Sequence, residues 1–328
     1  MTEHKPRRLH LAHLPTPLWH SVALDELVGT RVWVKRDDMT AGAEAGNKIR
    51  KLEYLLADAL DRNASVVITC GAVQSNHARA TALLAAQLGL RSVLVLRTPE
   101  PDAQHACVGN LLLDRLVGAE IRFITPEQYR ERDELMREVA AELARNGERC
   151  YVVPEGGSNG LGALGYFEAM REVRAQLDLG LGEGPHPFDA VVHACGSGGT
   201  AAGAVLGAAR YRVGARVVAM AVCDDRARFE ATISRVVEQA TQLLGGAQEQ
   251  AELEVIDEFR GPAYGTASHE QKLFIAEVAK RCGLVLDPVY SGKALFGLAH
   301  LEPKPRRVLF LHTGGLPGLL AQADQFPL

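Results

Sequence analysis

Paired cysteines are missing from this chain. Its six cysteines are scattered singly through 328 residues with no Cys-x-x-Cys spacing, which argues against a zinc site or a secreted disulfide framework. The eleven histidines are equally dispersed, without the His-x-x-x-His spacing of a helix-borne metal pair, and no metal is expected. No apolar run reaches the length of about 18 residues that a membrane helix needs. Residues 1–8 have no apolar signal core, so a cytoplasmic location is expected. Charge of one sign is not in excess either. A net charge of −4 gives no case for nucleic acid or a membrane surface as partner. There is no low-complexity segment and no internal repeat.

What is present is an ordinary globular composition, 47% hydrophobic and 23% charged, in a chain long enough for two domains. Short Val- and Ile-rich runs alternate with Ala- and Leu-rich ones, the pattern of parallel βαβ units covered on both faces. Strands are expected at residues 32–36, 65–69, 91–96, 120–125, 149–153, 189–194, 216–222, 284–286 and 307–311. Helices are expected from Lys48, at 81–88, 109–116, 126–146 and 163–176, and from about Thr200, with 180–187 a surface connection. The strands from 65 to 153 form one compact unit and the later ones a second. The fold class is α/β, with two open, twisted, mostly parallel sheets flanked by helices. Ligands of such sheets bind at the carboxyl ends of the strands, between units.

Those strand ends carry the chemistry. After the strand at 32–36, Gly46-Asn47-Lys48 opens an amphipathic helix, and a partly desolvated lysine there is available for Schiff-base formation. The strand at 189–194 runs into Gly196-Ser197-Gly198-Gly199-Thr200, a glycine turn whose N–H groups converge on an anion at a helix N-terminus. Its Gly-x-Gly spacing also fits a loose nucleotide fingerprint, so a nucleotide-binding oxidoreductase is the alternative from another class, but no acidic residue follows in the place that would hold a ribose. Gln74-Ser75-Asn76-His77 starts a helix that favours a carboxylate, although Ser75 alone would be an ordinary N-cap. Tyr290 lies where a strand gives way to a helix, as core filler or as an acid near substrate. Thr313 ends the last strand before two glycines. A Schiff-base lysine, a phosphate cup and a neutral hydroxyl for a ring nitrogen together describe pyridoxal 5'-phosphate.

The stretches Lys35-Arg36-Asp37-Asp38, Gly46-Asn47-Lys48-x-Arg50-Lys51-Leu52-Glu53, Gln74-Ser75-Asn76-His77-x-Arg79, Pro154-Glu155-Gly156-Gly157-Ser158 and Tyr290-x-Gly292-Lys293 resemble the pyridoxal-phosphate fold type II group, the tryptophan-synthase-β-like enzymes. Within it, the chain resembles the 1-aminocyclopropane-1-carboxylate deaminase and D-cysteine desulfhydrase family over nearly its whole length. The resemblance implies a large cofactor-binding domain of residues 1–50 and 160–328 and a small inserted α/β domain of 51–159, with the cofactor between them. It implies Lys48 as the Schiff-base lysine and Asn76 on the cofactor's phenolic oxygen. Gly196, Ser197, Gly198, Gly199 and Thr200 would hold the phosphate, with help from Lys51, and Thr313 would face the pyridine nitrogen. Substrate would meet Ser75, Asn76, His77 and Ser291, and Tyr264 and Tyr290 match the family's two active-site tyrosines.

Two departures bear on substrate. Ring-opening deaminases are expected to carry Glu directly after the second tyrosine, where this chain has Ser291, a small hydroxyl that resembles the desulfhydrase side, which usually has Thr. Glu44 stands beside the lysine loop, where it would repel an acidic substrate side chain such as cysteate, pair with a basic one, or point to solvent. The expected activity is a β-elimination on a small amino acid, D-cysteine desulfhydrase giving pyruvate, ammonia and sulfide. An L-cysteate sulfo-lyase or another lyase of β-substituted alanines is the alternative, and an aminocyclopropane deaminase is disfavoured. A homodimer is expected from the resemblance.

Overall fold

The computed structural model describes residues 6–326; residues 1–5, part of the segment without a signal core, and 327–328 lie outside the described residues. Ten strands are described: β1 (Leu18–His20), β2 (Arg31–Arg36), β3 (Val66–Ala72), β4 (Arg91–Arg97), β5 (Glu120–Ile124), β6 (Cys150–Val152), β7 (Phe188–Cys195), β8 (Gly214–Ala221), β9 (Glu252–Ile256) and β10 (Arg307–His312). They form a six-stranded sheet in the order β1-β2-β10-β7-β8-β9 and a four-stranded sheet in the order β5-β4-β3-β6. Every pairing is parallel except β1 with β2. The small sheet takes all its strands from residues 66–152, and the large one from both sides of that stretch.

The helices are α1 (Val22–Val28), α2 (Lys48–Asp61), α3 (Asn76–Gln87), α4 (Gly109–Leu116), α5 (Arg132–Arg145), α6 (Gly160–Asp178), α7 (Gly199–Arg210), α8 (Arg226–Leu243), α9 (His269–Cys282), α10 (Ser291–His300) and α11 (Leu316–Leu320). They cover both faces, which is why the central strands read as unbroken apolar runs. Val191, Val217, Leu309 and Leu311 pack on Tyr166, Met170, Ala204 and Ala208 of α6 and α7. On the opposite face Val192, Val218 and Phe310 pack on Ile275, Leu295 and Leu298 of α9 and α10. The small residues of α7 let it lie close against α6: a Cβ on Gly203 would meet the Ala163 carbonyl oxygen at 2.1 Å.

Several boundaries differ from expectation. Residues 284–286 are not a strand. Both flanks of β10 are already taken by β2 and β7, and Leu284 and Leu286 are buried against α9 and α10 instead. Glu252–Ile256, whose alternating charges hide a strand, is the edge strand β9. Helix α3 begins at Asn76, because Ser75 caps it by accepting the Ala78 N–H. The stretch 126–146 is a 3-10 turn followed by α5.

Candidate active site

The helix that carries Lys48 is anchored by a buried charge network. Asp37, fully buried after β2, accepts bonds from Arg50 Nε and Nη2 at 2.8 Å each, from Thr16 Oγ1 at 2.8 Å and from Tyr166 Oη at 2.6 Å. Arg50 Nη1 reaches Glu172 at 2.9 Å, and Lys35 pairs with the same carboxylate at 2.5 Å. Burial pushes the Asp37 carboxyl up, but the adjoining Arg50 wins and holds it below its usual value. The network fixes the first turn of α2. Gly46 has φ +128°, and a Cβ there would sit 3.0 Å from the Thr313 carbonyl, so only glycine is unstrained. Asn47 then ties the loop to that carbonyl by an N–H bond of 3.1 Å and to Thr200 Oγ1 by Nδ2 at 3.2 Å. Burial lowers the Lys48 amine to about 8, so near neutrality much of its resistance to giving up a proton is gone.

Lys48 faces a small, partly enclosed cavity lined by polar and glycine residues. Gly196, Ser197, Gly198 and Thr200 line one end, Thr313 and Tyr290 the sides, and Asn76 projects from the small-sheet side. Gly198 has φ +82°, which turns β7 sharply into α7. Ser158 backs the turn, accepting the Gly199 N–H at 3.1 Å and donating to Ser197 Oγ at 2.9 Å. Lys51 reaches the same point, donating to Gly156 O at 3.1 Å and Ser158 Oγ at 3.4 Å. Burial and then the neighbouring Lys48 hold its amine well below the ordinary lysine value. Neither lysine has a carboxylate partner among the described residues, and no carboxylate lines the cavity. His193 lines it too, with Nε2 buried and unpartnered. Its Nδ1 bonds the Ala194 carbonyl at 2.9 Å, and burial lowers it to about 4, so the ring is neutral.

At the start of α3 the N–H groups of Asn76 and His77 have no helical acceptor. Asn110 Nδ2 donates to Asn76 Oδ1 at 3.0 Å and to the Gln74 carbonyl at 3.0 Å, which leaves the Asn76 amide nitrogen as the end presented to the cavity. The His77 side chain does not line the cavity: its Nε2 pairs with Thr69 Oγ1 at 2.9 Å, while its Nδ1 is buried without a partner.

Tyr264 and Tyr290 meet hydroxyl to hydroxyl at 2.6 Å. Lys293 secures the Tyr264 loop by donating to the carbonyls of Arg260 at 2.6 Å and Ala263 at 2.9 Å. Asp287 holds Tyr290 through the N–H groups of Val289 at 2.9 Å and Tyr290 at 2.8 Å. Ser291, expected at the substrate, is buried instead, its hydroxyl donating to Asp287 Oδ1 at 2.6 Å. Of the fates expected for Glu44, the surface one holds: its carboxylate accepts from Gln87 at 2.9 Å.

Of the expected residues, the structure gathers Lys48, Asn76, Gly196, Ser197, Gly198, Thr200, Tyr290 and Thr313 around one cavity, with Lys51, Ser75, Gly199 and Tyr264 directly behind them. Asn47, Asn110, Ser158 and His193 had been given no role. A histidine inside the apolar run Val191-Val192-His193-Ala194 was the one available signal for the last.

A family profile described as pyridoxal-phosphate dependent enzyme matches residues 9–314. The chain is 42% identical to a protein of Arabidopsis thaliana, "Bifunctional D-cysteine desulfhydrase/1-aminocyclopropane-1-carboxylate deaminase, mitochondrial", over 96% of this chain and 80% of that one. It is 37% identical to the D-cysteine desulfhydrase of Yersinia enterocolitica, over 97% and 96% of the two chains. A crystal structure described as an ACC deaminase homologue superposes with TM-score 0.88 at 39% identity, covering 97% of this chain and 95% of the other. A fungal L-serine ammonia-lyase from Rhizomucor miehei, at 19% identity and TM-score 0.63, shares the fold.

Proposed function

The chain belongs to the pyridoxal-phosphate-dependent enzyme family, in its aminocyclopropane-carboxylate deaminase and D-cysteine desulfhydrase branch, and from that premise we propose that it is a D-cysteine desulfhydrase. Its cofactor is pyridoxal 5'-phosphate. The residues present fit that group on their own chemistry. Two neighbouring amines lack an anionic partner beside a turn too tight for any Cβ at Gly199, which would meet Ser158 Oγ at 2.7 Å and Lys51 Nζ at 2.9 Å. Lys48 would hold the aldehyde carbon, the glycine turn and Lys51 the phosphate, the Asn76 amide the phenolic oxygen, and Thr313 the ring nitrogen. When bound, the cofactor supplies an electron sink for negative charge at the substrate α-carbon.

The chain's own residues do the rest. Ser75 and the N–H groups of Asn76 and His77 would take the substrate carboxylate at the positive end of α3. The Lys48 amine, with its affinity for a proton lowered by burial, is suited to taking the α-proton at Nζ and releasing it again. The hydrogen-bonded tyrosine pair is the proton source for the departing group.

The observation that carries the desulfhydrase reading is the cavity wall, which has no carboxylate. Opening a cyclopropane leaves charge on carbon, the step for which ring-opening relatives are expected to carry Glu after the second tyrosine; here that position is Ser291, turned to Asp287. Sulfide is a far better leaving group and asks only for a phenolic proton. The other members of the branch remain as arms of the test. Purified protein is offered both enantiomers of cysteine, serine, cysteate and β-chloroalanine, and 1-aminocyclopropane-1-carboxylate. Pyruvate, ammonia and sulfide from D-cysteine in preference to the rest is the expected result. Preferred turnover of L-cysteate, or 2-oxobutyrate from the cyclopropane, would overturn it.

A further inference from the structure

Arg97 ends β4 on the small-sheet side, and its guanidinium spans two aromatic faces. It lies 4.7 Å from the ring centroid of Tyr129 and 4.8 Å from that of Tyr264. Among the described residues it has no ion-pair partner. The acid that could have neutralised it, Glu155, is engaged elsewhere: Oε1 accepts from Tyr129 Oη at 2.7 Å and Oε2 pairs with Arg132 at 3.0 Å. An unpaired positive charge is thus held against one member of the tyrosine pair, at the edge of the cavity.

The two tyrosines are not equivalent. Tyr290 lines the cavity, while Tyr264 stands behind it at 2.6 Å, hydroxyl to hydroxyl. Tyr290 is seated on the Asp287 carboxylate through its own N–H at 2.8 Å, so negative charge on its oxygen is opposed. Tyr264 is seated under Arg97, where negative charge is favoured. We propose that Arg97 is a positioning residue that turns the pair into a one-way proton relay, Tyr264 to Tyr290 to leaving group, with the charge coming to rest on Tyr264. The inference rests on the desulfhydrase reading for its substrate.

The step balances. As the Cβ–S bond breaks, its electron pair leaves on sulfur. The O–H bond of Tyr290 breaks and an S–H bond forms, giving hydrogen sulfide. The O–H bond of Tyr264 breaks and that of Tyr290 is remade, leaving a phenolate on Tyr264 that takes its next proton from water. Protonation directions agree with this order. Burial raises both phenols, Tyr264 to about 12, where the bond from Tyr290 and the charge of Arg97 pull back, and Tyr290 well above the usual value. The other ionisable groups facing Tyr264 are Glu155, already engaged, and Cys223, whose thiol burial pushes up to about 12 and keeps neutral.

The test compares two leaving groups on the holoenzyme, since chloride departs without a proton and sulfide benefits from one. In Arg97→Gln and Tyr264→Phe, kcat for D-cysteine is expected to fall by about tenfold or more, while turnover of β-chloro-D-alanine changes by less than about threefold. Arg97→Lys, which keeps the charge, restores most of the D-cysteine rate. An equal fall on both substrates would mark Arg97 as merely structural and overturn the relay. A second readout is independent of activity. Protein labelled with 3-fluorotyrosine gives a fluorine resonance for Tyr264, assigned by its loss in Tyr264→Phe. Its ionisation midpoint should move up in Arg97→Gln and return in Arg97→Lys; an unmoved midpoint refutes the charge effect. If wild-type protein ignores D-cysteine, the proposed substrate has failed, and the fluorine midpoint still decides the role of Arg97.

Discussion

Gly199→Ala and Gly198→Ala look alike on paper and should fail in different ways. Gly199 is the first residue of α7 with ordinary helical backbone, and alanine is the better helix former there by up to ~1 kcal/mol. The added methyl, however, would lie 2.7 Å from Ser158 Oγ, 2.9 Å from Ser158 Cα and 2.9 Å from Lys51 Nζ. The Lys51 amine can swing away, but a backbone Cα cannot, so the wall of the phosphate cup must shift. Losing one charge-assisted hydrogen bond costs about 1.5–3 kcal/mol, or about ten- to a hundredfold in cofactor affinity. Gly198 differs, with φ +82° and its Cβ position 3.2 Å from Ile233 Cγ1 and 3.3 Å from Thr232 Cγ2. There alanine adopts a left-handed backbone at about 1–2 kcal/mol, and the loss falls on folding. The assay is titration of each apoprotein with pyridoxal 5'-phosphate, followed by absorbance, beside urea unfolding of the same samples. Wild-type cofactor affinity in Gly199→Ala would refute the cup as assigned.

Three further outcomes are expected. Borohydride reduction of the loaded protein and peptide mapping should find the cofactor on Lys48; a label on any other lysine removes the catalytic assignment. Asp37→Leu, which leaves the buried Arg50 with Glu172 as its one remaining carboxylate, should cost about 1.5–3 kcal/mol in urea unfolding. Because the Asp37 carboxyl is held below its ordinary value of 3.8, its contribution is present above that value and fades as pH falls through the still lower folded value, so the gap from wild type should narrow in acid; a gap independent of pH would contradict this. Asn110→Leu should shift the absorption band of the bound cofactor and weaken its binding, because Asn76 loses the bond that orients its amide; an unchanged spectrum would leave Asn76 without the role given to it.

Much of the site was legible because its parts lie at strand ends and are spelled in unusual residues. Glycine at 196, 198 and 199 and lysine after Gly46-Asn47 are hard to explain as packing. What could not be read was direction. Ser291 and His77 sit at the right sequence positions, but the hydroxyl is drawn to Asp287 and the ring Nε2 to Thr69, and the turn of the backbone decides between these near neighbours and the cavity. Arg97 and Asn110 act across gaps of dozens of residues, and nothing in their local sequence marks them; Ser158 lies in a recognised stretch, but its partners Lys51 and Ser197 are far away in sequence. The strand at 284–286 was misread for a related reason. Its apolar residues are buried as expected, but burial between helices and burial within a sheet leave the same mark on a short segment.

Lys48 lines the pocket and Lys51 stands directly behind it, and burying two amines so close together has a cost. Both amines release protons more readily in the folded chain than in an open one, Lys48 at about 8. An unfolded lysine binds its proton up to an ordinary value of 10.5. Between those values the open chain carries more protons, so the empty protein gains stability as pH rises through that window and is least favoured below it. A doubly negative guest reverses the balance, which makes loading with cofactor part of completing the fold.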